Sequence, residues 1–172
     1  NSETGKNTGK CSVCGFMPVA EDESNCIYGS VTDALKSVAA SGSPTGYVLL
    51  LSYVETPASD VNKIWESVVF DAPGKSVELK MNGYTLIGNN GPTLTVKNGT
   101  LTVTGDATIT QPGRFPDTAA SAVVVTGGRL VFQNDLTAEV GIVNGNRKPA
   151  VEATGGVIEF NGNLKLGGGL TL

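Results

Sequence analysis

The chain contains no histidine among its 172 residues. That removes the commonest general base near neutral pH and the commonest nitrogen ligand for metals. Charge is scarce as well: 16% of residues are charged, 6% are aromatic, and the formal net charge is −4. With neither a basic stripe nor a basic amphipathic helix, nucleic acid and anionic membrane surfaces are excluded as partners. The longest apolar stretch, Tyr47–Val54, is strand-length and far short of the ~20 residues of a membrane span, so no membrane insertion is expected. The polar start, Asn1 to Lys10, holds no signal peptide or sorting signal and reads as a mature or trimmed end. No glycine-rich turn leads into a helix carrying a lysine, which excludes a phosphate-cradling loop. No cofactor is expected.

What the chain does have is glycine, 23 residues of it, together with much Thr, Val and Leu. That mixture suits strands joined by tight corners. One nine-residue pattern occurs three times: Leu101-x-Val103-x-Gly105-Asp106-Ala107-x-Ile109, Leu130-x-Phe132-x-Asn134-Asp135-Leu136-x-Ala138, and Ile158-x-Phe160-x-Gly162-Asn163-Leu164-x-Leu166. The copies start 29 and 28 residues apart. Each is two alternating strands around a Gly/Asn/Asp corner, and such a period implies stacked rungs.

Three strands per rung give a consistent register. The first lies near Val68, Leu94, Val123 and Val151, the second near Leu79, Leu101, Leu130 and Ile158, and the third near Leu86, Ile109, Ala138 and Leu166. Alternation then points one set of side chains into the coil and leaves Thr102, Thr104, Thr108 and Thr110 outside. Leu101, Leu130 and Ile158 form one expected interior stack, and Val103, Phe132 and Phe160 the next. Gly99, Gly127-Gly128 and Gly155-Gly156 mark one corner, and Gly105, Asn134 and Gly162 the next, all read as left-handed positions.

Before the coil, Ser30 to Gly42 predicts a capping helix. Ser30 caps it, Asp33 stands in its first turn, and Val31, Ala34, Leu35, Val38 and Ala39 share one face. Residues 59–66 predict a helical turn with Trp65 against the sheet. Residues 1–29 form a separate cap segment with Cys11, Cys14 and Cys26, and residues 30–172 form the coil. Cys11-Ser-Val-Cys14-Gly15 is half of a zinc knuckle, and zinc held by Cys11, Cys14 and Cys26 needs a fourth ligand from Glu21, Asp22 or Glu23. The alternative is a Cys11–Cys26 or Cys14–Cys26 disulfide in an extracellular chain. A redox-active pair has no thioredoxin-like βαβ pattern around it.

Leu79-Lys-Met-Asn-Gly-Tyr-Thr-Leu86 followed by Leu94-Thr-Val-Lys-Asn-Gly-Thr-Leu-Thr-Val103 carries a resemblance. Over about residues 30–172 the chain resembles the pectin-lyase-like right-handed parallel β-helix, in the versions carried by large surface proteins of Gram-positive bacteria. The resemblance implies an all-β, right-handed parallel solenoid. It implies no activity, because lyases, hydrolases, tail-spikes and adhesins share these rungs, and the catalytic carboxylate or Lys/Arg motifs of the family's enzymes are not matched here.

Function is therefore sought in the loops leaving the third strand, Gln111–Ala120 and Gly141–Lys148, which stacking brings to one edge beside Gly88–Pro92. Arg114, Phe115, Asp117, Asn144, Asn146 and Arg147, with Lys148 beside them, offer an aromatic ring among amides and cations, a chemistry that suits a sugar face and its hydroxyls. Ordinary solvated loops are the competing reading. Glu152 with Glu159, and Asp106 with Asp135, are the acid pairs that a glycosidase requires, but a corner ladder of Asp106, Asp135 and Asn163 is explained by turn chemistry. The expectation is a non-enzymatic, adhesin-like extracellular module of a bacterial cell-surface protein, presenting loops to a glycan or host surface protein. The alternatives are an accessory or N-terminal fragment of a carbohydrate-active enzyme with its catalytic residues elsewhere, and a structural spacer. Gly167 to Leu172 begins a further strand, so the chain reads as a piece of a longer protein whose open last rung packs end to end.

Overall fold

The computed structural model describes residues 18–51, 62–89, 91–113, 119–143 and 145–172. In chain order these residues form β1 (Ala20–Asp22), β2 (Ile27–Tyr28), α1 (Val31–Ala40), β3 (Thr45–Leu50), β4 (Lys63–Trp65), β5 (Val68–Lys80), β6 (Thr85–Ile87) and β7 (Leu94–Thr104). They continue through β8 (Ala107–Gln111), β9 (Val123–Val125), β10 (Arg129–Phe132), β11 (Leu136–Val140), β12 (Val151–Ala153), β13 (Val157–Phe160), β14 (Leu164–Gly167) and β15 (Leu170–Thr171). The fold is an all-β parallel solenoid of about four turns with one short helix near its start.

The interior ladders follow the alternation. Leu101, Leu130 and Ile158 are direct partners, as are Val103, Phe132 and Phe160. The rings of Phe132 and Phe160 lie parallel, 5.8 Å between centroids. Leu86, Ile109, Ala138 and Leu166 form the third-strand column, and Val68, Leu94, Val123 and Val151 the first. One column differs from the expectation: Val77, not Leu79, stands beside Leu101, and Leu79 stands beside Val103. The cause is an irregularity in β5, where the stretch between Asp71 and Ser76 opposes only the Asn98–Thr100 step of β7.

The corners are made in two ways. At Gly99, Gly128 and Gly156 the backbone is left-handed, with φ of 82°, 70° and 76°. A side chain at Gly128 would also overlap the carbonyl oxygen of Gly99, and one at Gly156 that of Gly128. The second corner corrects the sequence reading. Gly105 has φ 78°, but Asn134 and Gly162 do not have positive φ. Asn134 is used for its side chain, whose Oδ1 accepts from the Gly105 N–H at 3.0 Å. Gly162 is used for space, since a Cβ there would collide with the Asn134 carbonyl.

Helix α1 begins where Ser30 caps it, its Oγ accepting from the Asp33 N–H at 3.2 Å, and it buries Val31, Ala34, Leu35 and Val38. Two distant side chains hold its ends. Glu66 accepts from the Val31 N–H at 2.7 Å, the Thr32 N–H at 2.8 Å and the Ser30 hydroxyl at 2.9 Å. Lys75 donates to the carbonyls of Ser41 and Ser43, each at 2.7 Å. An anion at the amino end and a cation past the carboxyl end both oppose the helix dipole.

The described part of the N-terminal segment, from residue 18 on, joins the large sheet. β1 pairs antiparallel with β2 and with β3, which extends the large sheet. Asp22 organises this hairpin: it accepts from the backbone N–H groups of Ser24 and Cys26 at 2.9 and 3.0 Å and from the Tyr28 hydroxyl at 2.6 Å. Burial pushes its carboxyl up, and those three hydrogen bonds outweigh it, holding the group below the usual carboxylate range. The same bond to Asp22, which costs Tyr28 its proton less readily, raises the phenol. The helical turn expected over residues 59–66 is corrected in its described part. Lys63–Trp65 is strand β4, paired in parallel with β6, and alternation turns the Trp65 side chain outward, 38% exposed.

Candidate functional site

The loops that follow the third strand of successive rungs stack on one edge, and the strand end of β8 holds them together. The Gly88 N–H donates to the Thr110 carbonyl at 2.9 Å, and the Gly141 N–H to the Gln111 carbonyl at 2.7 Å. Three consecutive turnings of the chain are thereby stitched through residues 110–111. The Gln111 side chain is buried and works in both directions. Its Nε2 donates to the Gly91 carbonyl, and its Oε1 accepts from the Gly113 N–H at 3.1 Å. Thr93, fully buried, donates its hydroxyl to the Thr110 carbonyl at 2.8 Å. These polar groups are satisfied inside the coil edge, as burial demands.

On this base stands the 141–149 loop. Val143 and Asn146 exchange two backbone hydrogen bonds of 2.9 and 2.8 Å across a tight turn. Val143 anchors the loop by burial, while Ile142, 62% exposed, and Asn146, Arg147 and Lys148 face solvent. Arg147, Lys148 and Pro149 border a shallow open hollow whose other wall is Leu166 and Gly167 to Gly169. The surface offers an amide, two cations and one apolar side chain, which can bond hydroxyl or carboxylate oxygens and rest against an apolar face. Asn146 and Arg147, adjacent in the chain, are both exposed on this loop. Arg114, Phe115, Asp117 and Asn144 lie outside the described residues. Ile142 was overlooked in the sequence because an isolated loop isoleucine resembles a core residue.

Three of the acidic groups named from the sequence, Glu152, Glu159 and Asp135, are engaged. Glu152 accepts from the Ser121 hydroxyl at 2.9 Å, and Glu159 pairs with Arg129 at 2.7 Å. Asp135 accepts from the backbone N–H of Asn163 at 2.8 Å and from its side-chain amide, and these bonds, the backbone one foremost, lower its carboxyl below the usual range. The Asp135–Asn163 step of the corner ladder is therefore a hydrogen bond between successive rungs.

Cys26 is exposed with a free thiol, and Cys11 and Cys14 lie outside the described residues. Among the described residues no group of three His, Cys, Asp or Glu side chains could hold a metal ion, and no helix is long and apolar enough to cross a membrane. No family model matches the chain, and neither a curated protein nor a solved structure is significantly similar to it.

Proposed function

We propose that this chain is a non-enzymatic, adhesin-like module of a bacterial cell-surface protein, of the pectin-lyase-like kind, acting outside the cell by presenting its loop edge to a glycan or a host surface protein. One observation carries this reading: buried Gln111 ties the loops of three successive turnings onto one edge, on which Ile142, Asn146, Arg147 and Lys148 stand exposed. Loops fixed to a stiff solenoid lose little conformational entropy on binding, which favours recognition by many weak polar contacts. Glu152, Glu159 and Asp135 are engaged in hydrogen bonds that hold the coil together.

A glycan array tests the reading. Binding that is lost in Phe115→Ala and in Arg147→Ala, with thermal stability unchanged, is the expected result. Absence of binding to glycans and to host surface proteins leaves a spacer and refutes the proposal. Product release from neutral or acidic polysaccharides incubated with the chain refutes its non-enzymatic part.

A further inference from the structure

Outside the 141–149 loop and the last rung, Trp65 is the one large apolar side chain among the described residues that stands exposed. It is also the single tryptophan of the chain. Tryptophan is highly buried on average, so an indole facing water is an informative departure. Trp65 lies on the outer face of the five-stranded sheet formed by β4, β6, β8, β11 and β14. Its column continues through Ile87 and Thr110. The column beside it holds Thr85, Thr108 and Thr137. Leu86, Ile109 and Ala138 alternate with these residues and are buried in the coil. The outward side chains are thus an indole, an isoleucine and a run of threonine hydroxyls, repeating every ~4.8 Å from rung to rung. Charge on these two columns stands only at their margins: Lys63 beside Thr85, Glu139 beside Thr110 and Lys165 beside Thr137.

The backbone under the indole is fixed. β4 pairs with β6, the Asn89 side-chain amide donates to the Trp65 carbonyl at 2.7 Å, and the next residue, Glu66, donates its N–H to the Ile87 carbonyl at 2.9 Å. A ring held this way loses little freedom when a ligand settles on it. The chemistry of the face selects the ligand. A protein partner needs ~800 Å² on each side with an apolar centre, and this face exposes one apolar side chain. A charged partner finds no countercharge in the middle of the two columns. A sugar ring matches what is there: its C–H face meets the negative face of the indole, and its hydroxyls donate to and accept from threonine hydroxyls. We propose that the outer face of β4, β6, β8 and β11 binds an uncharged glycan, with one sugar ring stacked on Trp65 and the following units lying along the coil over Thr85, Thr108 and Thr137. This is a second surface, and it stands or falls independently of the loop edge.

Because Trp65 is the single tryptophan, its fluorescence reports on this face alone. The test is titration of the 172-residue chain with cello-, chitin- and manno-oligosaccharides up to ~10 mM, above the Kd of a weak contact. The expected result is a saturable shift of the emission to shorter wavelength with at least one of them. Calorimetry with that oligosaccharide should show binding weakened at least about tenfold in Trp65→Ala and in Thr108→Lys, and unaltered in Arg147→Ala. An oligogalacturonate, its charged counterpart, should bind less well. Should Trp65→Ala fail to melt cooperatively, Thr108→Lys, at an outward position, decides alone. No shift with any of the neutral oligosaccharides, binding indifferent to the face substitutions, or a preference for the charged glycan would each overturn the proposal. Binding lost in Arg147→Ala but kept in Trp65→Ala would place the glycan on the loop edge and overturn it too.

Discussion

Replacing Glu66 by glutamine isolates the contact that joins the helix to the coil. Glu66 takes two of the orphan amides at the start of α1, those of Val31 and Thr32, and the Ser30 hydroxyl. Hydrogen bonds to a charged acceptor contribute ~1.5–3 kcal/mol each where water cannot replace them. Here the carboxylate is only half-buried, so water recovers part of the loss. Glutamine keeps one accepting oxygen, turns its NH₂ toward a backbone N–H, and forfeits the dipole interaction of ~0.5 kcal/mol. The expected loss is about 2 kcal/mol, and for a chain of this size about 4–8 °C in Tm. Lys75→Met at the other end removes the donor to Ser41 and Ser43 and should cost about 1 kcal/mol. The helix spans 10 residues, roughly 15 Å, so the two losses should add to within ~0.5 kcal/mol. Thermal melting followed by circular dichroism gives the energies, and hydrogen exchange locates them: the Val31 and Thr32 amides should exchange faster in Glu66→Gln while β10 and β11 keep their protection. A loss below ~0.5 kcal/mol, the size of an ordinary surface change, or unchanged exchange at those two amides would refute the clamp.

Three further outcomes are expected. Gly128→Ala, which combines a left-handed backbone with overlap on the Gly99 carbonyl, should cost roughly 3 kcal/mol or more, whereas Gly145→Ala, equally left-handed but in open space, should cost only about 1–2 kcal/mol; equal losses in chemical denaturation would deny the stacking of corners. Asp22 has a lowered pKa, so its contribution is present above the unfolded value near ~3.9 and is lost as pH falls through the lower folded value. Asp22→Asn should accordingly flatten the acid limb of a stability–pH curve, and an unaltered limb contradicts the assignment. Gln111→Ala should loosen residues 88–91 and 141–149 together in hydrogen exchange and weaken whatever binds Arg147 and Asn146; loosening confined to Gly113 would show that Gln111 does not hold the edge.

The sequence carried the coil because its repeating unit is local. Alternation over Leu101–Val103 and Ile158–Phe160, with corners 28–29 residues apart, is enough to assign the interior ladders. It misplaced Leu79 by two residues because the insertion in β5 between Asp71 and Ser76 has no counterpart in later rungs. The β1–β2 hairpin and β4 left no periodic trace, being three, two and three residues long, too short for alternation to register. Glu66 and Lys75 lie more than thirty residues from the helix ends they hold, and no capping rule reads at that range. Gln111 and Thr93 looked like loop polar residues, and only stacking shows that their side chains are buried within the edge. At the loop edge the exposure of Ile142 left no signal in the sequence.

The account depends on interior side chains of successive rungs touching although they lie 28–29 residues apart in the chain. Methyl-to-methyl and methyl-to-ring nuclear Overhauser effects measured on the folded chain test this directly. Cross-peaks are predicted from Leu101 to Leu130, from Leu130 to Ile158, and from Val103 to the Phe132 ring. If these pairs give none while Leu101 and Leu130 contact a second, antiparallel sheet, the chain is a sandwich, and neither the stacked loop edge nor the Trp65 face exists.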